Sequence, residues 1–288
     1  MQEVTKDILK TLYPPRPAEV QKYDFGLVLV IGGGEFYTGA PALAALACFR
    51  AGADMIRLIA PKRAADIIAS FSPIIAAYPL NNSHLLQEHL PTLLTMTEAA
   101  KVSARGKVAV VIGGGIGRSQ ETLQTVLDYL SQIDVPAVID ADAIHAIAQN
   151  PGAVSGKPFI VTPNMYEFGL LGGNDIRSME PGARIQQVQE LAVKLQTTLV
   201  VKAKVDIISN GTDVLLNATG SPYMSGGGLG DTLSGIAGAL LARGIDPMKA
   251  GAGAAYINGK AGERAADIFK ESLVATDLID AIPEVIKQ

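Results

Sequence analysis

Residues 27–34 read Leu-Val-Leu-Val-Ile-Gly-Gly-Gly, an unbroken apolar run that ends in a cluster of glycines. A run of this length suits a strand that is buried on both faces, as in a parallel sheet covered by helices. Segments of helical period separate it from further Val- and Ile-rich runs at 55–59, 108–112, 137–139, 159–161 and 199–201. The alternation predicts an α/β fold with a central, mainly parallel β-sheet flanked by α-helices on both faces.

The pattern changes after the last of these runs. Two further apolar segments flank Asn210-Gly211, and because both residues tolerate a positive φ, the pair predicts a β-hairpin and an antiparallel edge. Beyond the hairpin, apolar residues recur at helical spacing from Leu233 to Leu241. We expect a helix that begins near Thr232 and stops at Gly244, and a second helix that starts near Pro247.

The composition indicates one large folded domain. Of the 288 residues, 48% are apolar and 18% are charged, which provides a large core and too little charge for an extended disordered tail. No linker rich in proline, serine or charge divides the chain, so we expect a single domain over residues 1–288, with about 1–22 as an N-terminal extension. A net charge of −4 offers no basic surface for nucleic acid or for an anionic membrane.

The cysteine content and the N-terminus bear on the compartment. Cys48 is the single cysteine, and its apolar helical surroundings favour a buried thiol over a nucleophile. One cysteine allows no intrachain disulfide, which is compatible with a reducing compartment. The N-terminus lacks the apolar core of a secretory signal, and no uncharged apolar run approaches the roughly 20 residues that span a bilayer. A cytoplasmic location is therefore expected.

The segment Ser225 to Asp231 places four glycines in front of the predicted helix. Glycine lets main-chain N–H groups approach a ligand closely, and a helix N-terminus adds partial positive charge, so the segment predicts a phosphate-binding nest. Since a phosphate would repel Asp231, the role that suits this residue is general base towards a hydroxyl that attacks phosphorus. The alternative is a tight turn with Asp231 as the helix cap, which does not require four glycines.

Two other glycine loops follow predicted strands, at 32–34 and 113–117. The first has Tyr37 where the dinucleotide-binding fingerprint needs its third glycine, and Ala40-Pro41 where the P-loop needs Lys-Ser/Thr. Both loops would lie at the carboxyl edge of the sheet, where open α/β proteins bind ligands. A simple turn explains either loop alone equally well.

Charged residues follow several predicted strands directly. Asp140, Asp142 and Glu167 could hold a magnesium ion with its waters against substrate phosphates, or could cap the helices that follow them. Lys202 and Lys204 could neutralise phosphate charge, although a solvated strand end also explains Lys204. The histidines show no metal-ligand spacing.

Taken together and in this order, five motifs resemble those of the ADP- or ATP-dependent NAD(P)H-hydrate dehydratases: Tyr37-Thr38-Gly39-Ala40-Pro41, Gly113 to Gly117, Asp140-Ala141-Asp142, Thr162 to Phe168 and Gly226 to Asp231. The resemblance implies the ribokinase-like fold and a lyase that repairs damaged cofactor. Such enzymes remove water from the hydrated nicotinamide ring of NADHX or NADPHX, driven by hydrolysis of ADP or ATP with Mg²⁺.

The resemblance also implies roles for individual residues. Asp231 would be catalytic and would touch the reacting hydroxyl of the substrate, and the other substrate contacts would be Ala40, Gly117 and Asn164. The implied nucleotide contacts are Lys202, Ala203, Lys204, Val205, Asp206, Gly228 and Gly230. The metal ligands are not assigned by the resemblance, and Asp140 and Glu167 remain the candidates. A homo-oligomer, with a tetramer as the arrangement seen in the family, is the implied assembly.

Three positions depart from the family's usual motifs. Leu229 stands where the family usually has threonine, the segment Lys202 to Asp206 departs from Lys-Gly-Ala-x-Thr, and Asn164 replaces a histidine. Thr-Pro-Asn-x-x-Glu, the form present here, also occurs in ribokinase-like kinases of sugars and vitamin precursors. A kinase acting on a thiazole, pyrimidine or sugar alcohol is therefore the alternative function, and a nucleotide-binding regulator without catalysis is a third.

Overall fold

The computed structural model of the protein describes residues 2–172 and 174–287. Within these ranges the strands form a single ten-stranded sheet: β1 (Gln2–Glu3), β2 (Leu27–Ile31), β3 (Met55–Pro61), β4 (Ala76–Leu80), β5 (Val108–Ile112), β6 (Ala137–Ile139), β7 (Phe159–Val161), β8 (Thr198–Val201), β9 (Asp206–Ser209) and β10 (Val214–Asn217). The helices are α1 (Ile8–Leu12), α2 (Gly39–Arg50), α3 (Lys62–Phe71), α4 (Leu90–Ser103), α5 (Gln120–Gln132), α6 (Asp142–Gln149), α7 (Met165–Leu170), α8 (Pro181–Leu195), α9 (Leu229–Ala242), α10 (Pro247–Phe269) and α11 (Ala275–Ile286). Short 3₁₀ helices occupy Gln87–His89, Pro151–Val154 and Lys270–Ser272.

The sheet has the strand order β1-β10-β9-β8-β7-β6-β5-β2-β3-β4. Strand β9 runs antiparallel to both of its neighbours, and the other neighbouring pairs are parallel. The expected mainly parallel sheet is therefore confirmed, and so is the antiparallel hairpin around Asn210-Gly211. Its turn is held by the Asn210 side chain, whose Oδ1 accepts hydrogen bonds from the backbone of Thr212 and Asp213.

Helices cover both faces of the sheet, as the apolar strand runs predicted. Successive strand residues point to opposite faces, so Val28 and Val30 enter one core while Leu27 and Leu29 enter the other. The first core is closed by α1, α2, α3, α9, α10 and α11, and the second by α4 to α8. A strand buried on both faces needs an unbroken apolar sequence, which is the reason these strands were recognisable.

Helices α2 and α9 pack against each other at very short range. Gly235 of α9 faces the backbone of Ala44 in α2, and a Cβ at position 235 would overlap the Ala44 carbonyl oxygen. Cys48 of α2 donates from Sγ to the Gly235 carbonyl at 3.1 Å. Because Cys48 is fully buried, burial raises the pKa of its thiol well above the usual range. The prediction of a structural cysteine is confirmed.

Some local features differ from the sequence predictions. The α9 helix begins at Leu229, so its expected start near Thr232 is wrong by three residues. Gly228, at φ 90°, ends the preceding loop, and Gly230 is tolerated in the first turn because amides there have no partner within the helix. Strand β4 was not predicted: it contains Pro79 and its residues are mostly exposed, as befits an edge strand. The end of α9 before Gly244 and the start of α10 at Pro247 are confirmed.

The N-terminal residues pack onto the domain. Strand β1 pairs with β10, and Val4 donates from its backbone to Leu216 at 2.8 Å. Helix α1 then buries Leu9 and Leu12 against α10. The first half of the segment expected as an extension therefore contributes to the sheet and to one core.

Among the described residues, no helix combines the length and the apolar character that crossing a bilayer requires.

Candidate active site

The carboxyl ends of five adjacent strands bring the predicted motifs to one edge of the sheet. In the order β8, β7, β6, β5 and β2, these strands end just before Lys202, Thr162, Asp140, Gly113 and Gly32. Main-chain hydrogen bonds join neighbouring loops along this row, including Lys202 to Pro163 at 2.9 Å and Gly33 to Gly114 at 2.8 Å. Residues far apart in sequence therefore share one site, at the edge where α/β proteins bind ligands.

Asp231 lies in the first turn of α9 and points at the Gly113 to Gly117 loop. A Cβ on Gly114 would stand 2.8 Å from Asp231 Oδ1 and 3.1 Å from the Cβ of Ala40. A side chain at position 114 would therefore displace the carboxyl group, which explains the glycine. The same distances place Ala40, a predicted substrate contact, beside the predicted catalytic residue.

The environment of Asp231 favours its protonated form. Burial, together with the negative charges of Asp140 and Asp142, raises the pKa of Asp231 to about 7. The charge of Lys202 acts in the opposite direction. A carboxyl group with a pKa near neutrality can both accept and release a proton at physiological pH, which is the property required of a general base.

A buried ion pair lies beside Asp231. Lys202 Nζ donates to Asp140 Oδ1 at 2.8 Å, and the Thr162 hydroxyl donates to the same oxygen at 2.7 Å. Burial lowers the pKa of Lys202, but the charges of Asp140 and Glu167 raise it by more, so the net direction is upward and the lysine is cationic. Lys202 neutralises Asp140 and stands at the approach to Gly230, whose added Cβ would lie 3.4 Å from Nζ.

Asn164 and Glu167 form a capping box at the start of α7. Asn164 Oδ1 accepts from the backbones of Tyr166 and Glu167 at 2.9 Å each, and Glu167 Oε2 accepts from the Asn164 backbone at 2.8 Å. Burial raises the pKa of Glu167, while Lys202 lowers it. The capping role accounts for the side chain of Asn164 and for one oxygen of Glu167.

Gly117 is held in place by the carboxylate of Asp142, which follows the neighbouring strand β6. Its backbone, at φ 85°, donates to Asp142 Oδ2 at 3.0 Å, and Arg118 Nε donates to Asp142 Oδ1 at 2.6 Å. Asp142 is the first residue of α6, where a negative charge is stabilised by the helix dipole. The Asp142 carboxylate thus places a negative charge in the first turn of α6, without a capping hydrogen bond, and anchors the predicted substrate contact.

A cleft of about 770 Å³ opens next to the ion pair. The predicted contacts that line it are Asn164, Lys202, Ala203, Lys204, Asp206 and Gly230. Asp206 braces the cleft wall, since its carboxylate accepts from the Ala203 backbone and from Asn217 Nδ2, both at 3.0 Å. Burial raises the pKa of Asp206, and the hydrogen bond from Ala203 opposes that shift.

Two of the predicted nucleotide contacts, Val205 and Gly228, do not line this cleft. Val205 is 39% exposed and does not face the cleft. Gly228 packs against Leu43 and Ala275, and a Cβ at position 228 would stand 2.6 Å from Leu43 Cδ1. Its positive φ and tight packing give Gly228 a structural role at the start of α9.

Sequence reasoning missed one buried polar residue of the cleft. Asn258 of α10 lines the cleft, and its Oδ1 accepts from the Thr232 hydroxyl at 2.7 Å while Nδ2 donates to the Leu229 carbonyl at 3.3 Å. It thereby ties the glycine-led start of α9 to α10. The available signal was an asparagine inside an otherwise apolar, small-residue helix segment, Ala254-Ala255-Tyr256-Ile257-Asn258-Gly259.

The family model described as NAD(P)H-hydrate dehydratase matches residues 28–284, which is nearly the whole chain. The chain belongs to the NAD(P)H-hydrate dehydratase family. The resemblance seen in the five motifs is therefore confirmed, and the residues described above are those of an NAD(P)H-hydrate dehydratase family member.

Relatives of two lengths occur within the family. The chain spans about half the length of the curated relatives named bifunctional NAD(P)H-hydrate repair enzymes, to which it is 34–37% identical. It is also 34% identical over 287 residues to an ADP-dependent (S)-NAD(P)H-hydrate dehydratase of Cenarchaeum symbiosum, covering 99% of this chain and 96% of that protein.

Solved structures share the fold. An ADP/ATP-dependent NAD(P)H-hydrate dehydratase from Bacillus subtilis, co-crystallised with ATP and Mg²⁺, matches with a TM-score of 0.81 and 26% identity, over 99% of this chain and 98% of that one. A ribokinase from Thermotoga maritima matches with a TM-score of 0.62 and 12% identity, over 92% of this chain and 100% of that one. The ribokinase-like fold is confirmed.

Proposed function

We propose that this protein catalyses the nucleotide-dependent dehydration of hydrated nicotinamide cofactor, NADHX or NADPHX, back to NAD(P)H. The observation that carries the proposal is the buried Asp231 carboxyl, whose pKa of about 7 and position beside Ala40 and Gly114 suit a base for a substrate hydroxyl. Membership of the family and the relative from Cenarchaeum symbiosum support it.

In the proposed reaction, Asp231 accepts the proton of the ring hydroxyl while the hydroxyl oxygen attacks the terminal phosphorus of ADP or ATP. The bond from that phosphorus to the bridging oxygen breaks, and AMP or ADP leaves with its electron pair. The phosphate then leaves the ring with the C–O electron pair. The adjacent carbon loses a proton, and the electron pair of that C–H bond forms the new ring double bond. Phosphorylation thus converts the ring hydroxyl, a poor leaving group, into a phosphate, which is a good one.

The nucleotide is proposed to occupy the 770 Å³ cleft. Gly226 and Gly230 line it near the start of α9, where backbone amides and the helix dipole favour a phosphate. Lys202 and Lys204 also line the cleft, where they add positive charge. The proposed substrate contacts are Ala40, Gly117, Asn164 and Asp231. Of these, Asn164 lines the cleft, whereas Ala40 and Asp231 lie beside the Gly113 to Gly117 loop.

The residues at this edge fit a magnesium ion that is held largely by the nucleotide. Within residues 2–172 and 174–287, no three acidic, histidine or cysteine side chains form a metal cluster. Mg²⁺ often uses only one or two carboxylates together with substrate phosphates. Asp140 Oδ2 and Glu167 Oε1, which accept no hydrogen bond from the described residues, would provide such ligands. Bound there, Mg²⁺ would neutralise phosphate charge.

The test is an assay of purified protein with NADHX, Mg²⁺ and either ADP or ATP. We expect the near-ultraviolet absorbance of NADH to return, with one molecule of inorganic phosphate released for each NADH formed. Absence of recovery with both nucleotides and with both hydrated cofactors would overturn the proposal. The kinase alternative predicts instead a phosphorylated alcohol from a panel of thiazole, pyrimidine and sugar alcohols.

The organisation of the protein is part of the same proposal. We infer one ribokinase-like domain over residues 1–288, because a single sheet carries both cores and the site. A homo-oligomer, with a tetramer as the first model to test, and a cytoplasmic location complete the proposal. Light scattering coupled to gel filtration measures the assembly directly.

A further inference from the structure

Negative charge accumulates at the catalytic edge of the sheet. Asp140, Asp142, Glu167 and Asp231 all lie there, and the charges of Asp140 and Asp142 both act on Asp231. Lys202 is already paired with Asp140. The proposed substrate, however, is a dinucleotide whose pyrophosphate is anionic, so a cation beside its contacts would offset this negative charge.

Arg118 is a cation that stands at this edge with most of its donors free. Its Nε is bound to Asp142 Oδ1 at 2.6 Å, and the other oxygen of Asp142 holds the backbone of Gly117. Among the described residues, neither terminal nitrogen of the guanidinium makes a hydrogen bond, and the side chain is 56% exposed. The Asp142 carboxylate therefore fixes the Nε end of the guanidinium, and the two terminal nitrogens are left facing solvent.

Arg118 directly follows Gly117 in the chain, and its partner Asp142 lies two residues after Asp140 of the buried ion pair. Burial raises the pKa of Glu167, and the Arg118 charge is among those that lower it. Burial lowers the pKa of His145 in α6, the helix that carries Asp142, and the Arg118 charge also lowers it. The guanidinium thus lies beside the Gly113 to Gly117 loop, which is proposed to contact substrate.

We propose that Arg118 binds the pyrophosphate of the hydrated dinucleotide and selects substrates that carry it. A guanidinium is suited to this role because its paired donors match two phosphate oxygens, and Asp142 orients it in advance. The inference rests on the proposed function, since it concerns the same substrate. Arg118 has no part in the proton transfer, so its contribution should appear in binding and leave the chemical step unchanged.

The experiment compares the full-length protein with R118Q, R118K and the control R177Q. Arg177 is also an exposed arginine paired with an aspartate, Asp175, but it lies outside the site. For NADHX, we expect R118Q to raise KM about tenfold or more, the usual loss for a charge-assisted hydrogen bond, with kcat nearly unchanged. The KM of R118Q for ADP should stay at the wild-type value. For NADHX, the KM of R118K should lie between those of the wild type and R118Q, and the KM of R177Q should match the wild type.

A substrate without phosphate separates binding from positioning. With hydrated reduced nicotinamide riboside, wild type and R118Q should have equal kcat/KM. Equal losses on both substrates would show that Arg118 only supports the Gly117 loop, and a raised KM for ADP alone would assign it to the nucleotide. Either result, or an unchanged KM for NADHX, overturns the proposal.

A titration with NADH, which carries the same pyrophosphate, tests the inference independently of turnover. The fluorescence titration should give R118Q a Kd about tenfold or more above that of the wild type. If the wild type bound NADH in this way but turned over no NADHX, the proposed function would fail while the Arg118 site stood. Equal NADH affinities of the wild type and R118Q, or no NADH binding by the wild type, would contradict the proposal that Arg118 binds the pyrophosphate.

Discussion

At the scale of single residues, the chemistry depends on how Asp231 is charged. Burial and the charge of Asp140 disfavour its ionisation, and Lys202 favours it. Lys202 is itself kept cationic by the acids around it. Lys202 therefore serves two purposes. It neutralises the buried carboxylate of Asp140, and its charge lowers the pKa of the proposed base, Asp231.

Replacing Asp231 by asparagine should abolish proton acceptance while preserving the shape of the site. We expect kcat for NADHX to fall by about 10²-fold or more, as the loss of a general base usually causes. Nucleotide affinity, measured by calorimetry with ADP, should remain near the wild-type value. A D231N enzyme with near wild-type kcat would remove Asp231 from the mechanism.

The activity should depend on pH through the same carboxyl group. Since a base must be deprotonated, kcat/KM should fall about tenfold for each pH unit below the Asp231 pKa of about 7. A profile of kcat/KM from pH 5 to pH 9 measures this limb. A flat profile down to pH 5 would contradict the assignment.

The stability of the folded state should also depend on pH through the Asp231 carboxyl group. The pKa of Asp231 is raised from 3.8 to about 7 in the folded state, so ionisation of this buried group costs stability as pH rises between those values. Relative to the wild type, D231N should therefore gain thermal stability above pH 7. The gain should vanish in acid, where both side chains are neutral.

At the scale of elements, the close contact of α2 with α9 aligns the catalytic turn. Gly235 lets the α9 backbone rest on Ala44, and Cys48 adds a hydrogen bond to the same glycine. The N-terminus of α2 carries Ala40, and the N-terminus of α9 carries Asp231. The packing of the two helices thus sets the spacing between a proposed substrate contact and the proposed base.

A methyl group at Gly235 should disturb this packing. We expect Gly235→Ala to lower the free energy of unfolding by about 1–3 kcal/mol, the usual cost of overpacking a core, measured by denaturant titration. The matched control is Gly182→Ala in α8, where a Cβ would meet no atom within 4 Å. That change should be neutral or stabilise by up to about 1 kcal/mol. Equal effects of the two substitutions would contradict the close-contact explanation.

At the scale of the whole molecule, the N-terminal segment packs against β10, α9 and α10 from the C-terminal part of the chain. Strand β1 extends the edge formed by β10, and α1 packs on α10. Arg243, just after α9, donates from Nη2 to the Leu12 carbonyl at 3.0 Å. The N-terminal residues therefore act as a cover for the helical layer that holds the catalytic turn.

Truncating Leu12 tests this contribution. Leu12 is fully buried and packs directly on Gly253 of α10. Leu12→Ala should lower the free energy of unfolding by about 2–5 kcal/mol through the cavity it leaves. Its neighbour Thr11 is exposed, and Thr11→Ala should change stability by no more than about 0.5 kcal/mol. A small effect of Leu12→Ala would show that residues 2–12 are a dispensable extension.

Several properties of the protein could be predicted from the sequence by itself. The apolar strand runs, the hairpin at Asn210-Gly211 and the glycine-led start of α9 are local patterns, and each reports the backbone geometry of its own segment. The family motifs identified Asp231 for the same reason, because an acid after a glycine nest is a feature of a few consecutive residues.

Other properties were decided only by the tertiary structure. The Lys202–Asp140 pair, the Asp142–Arg118 anchor and the Asn258–Thr232 bond join residues that are 62, 24 and 26 positions apart. The pKa of Asp231 likewise depends on burial and on charges brought from other strands. Sequence patterns reveal local conformation, whereas burial and electrostatic interactions depend on which distant segments become neighbours, and that is determined when the sheet assembles.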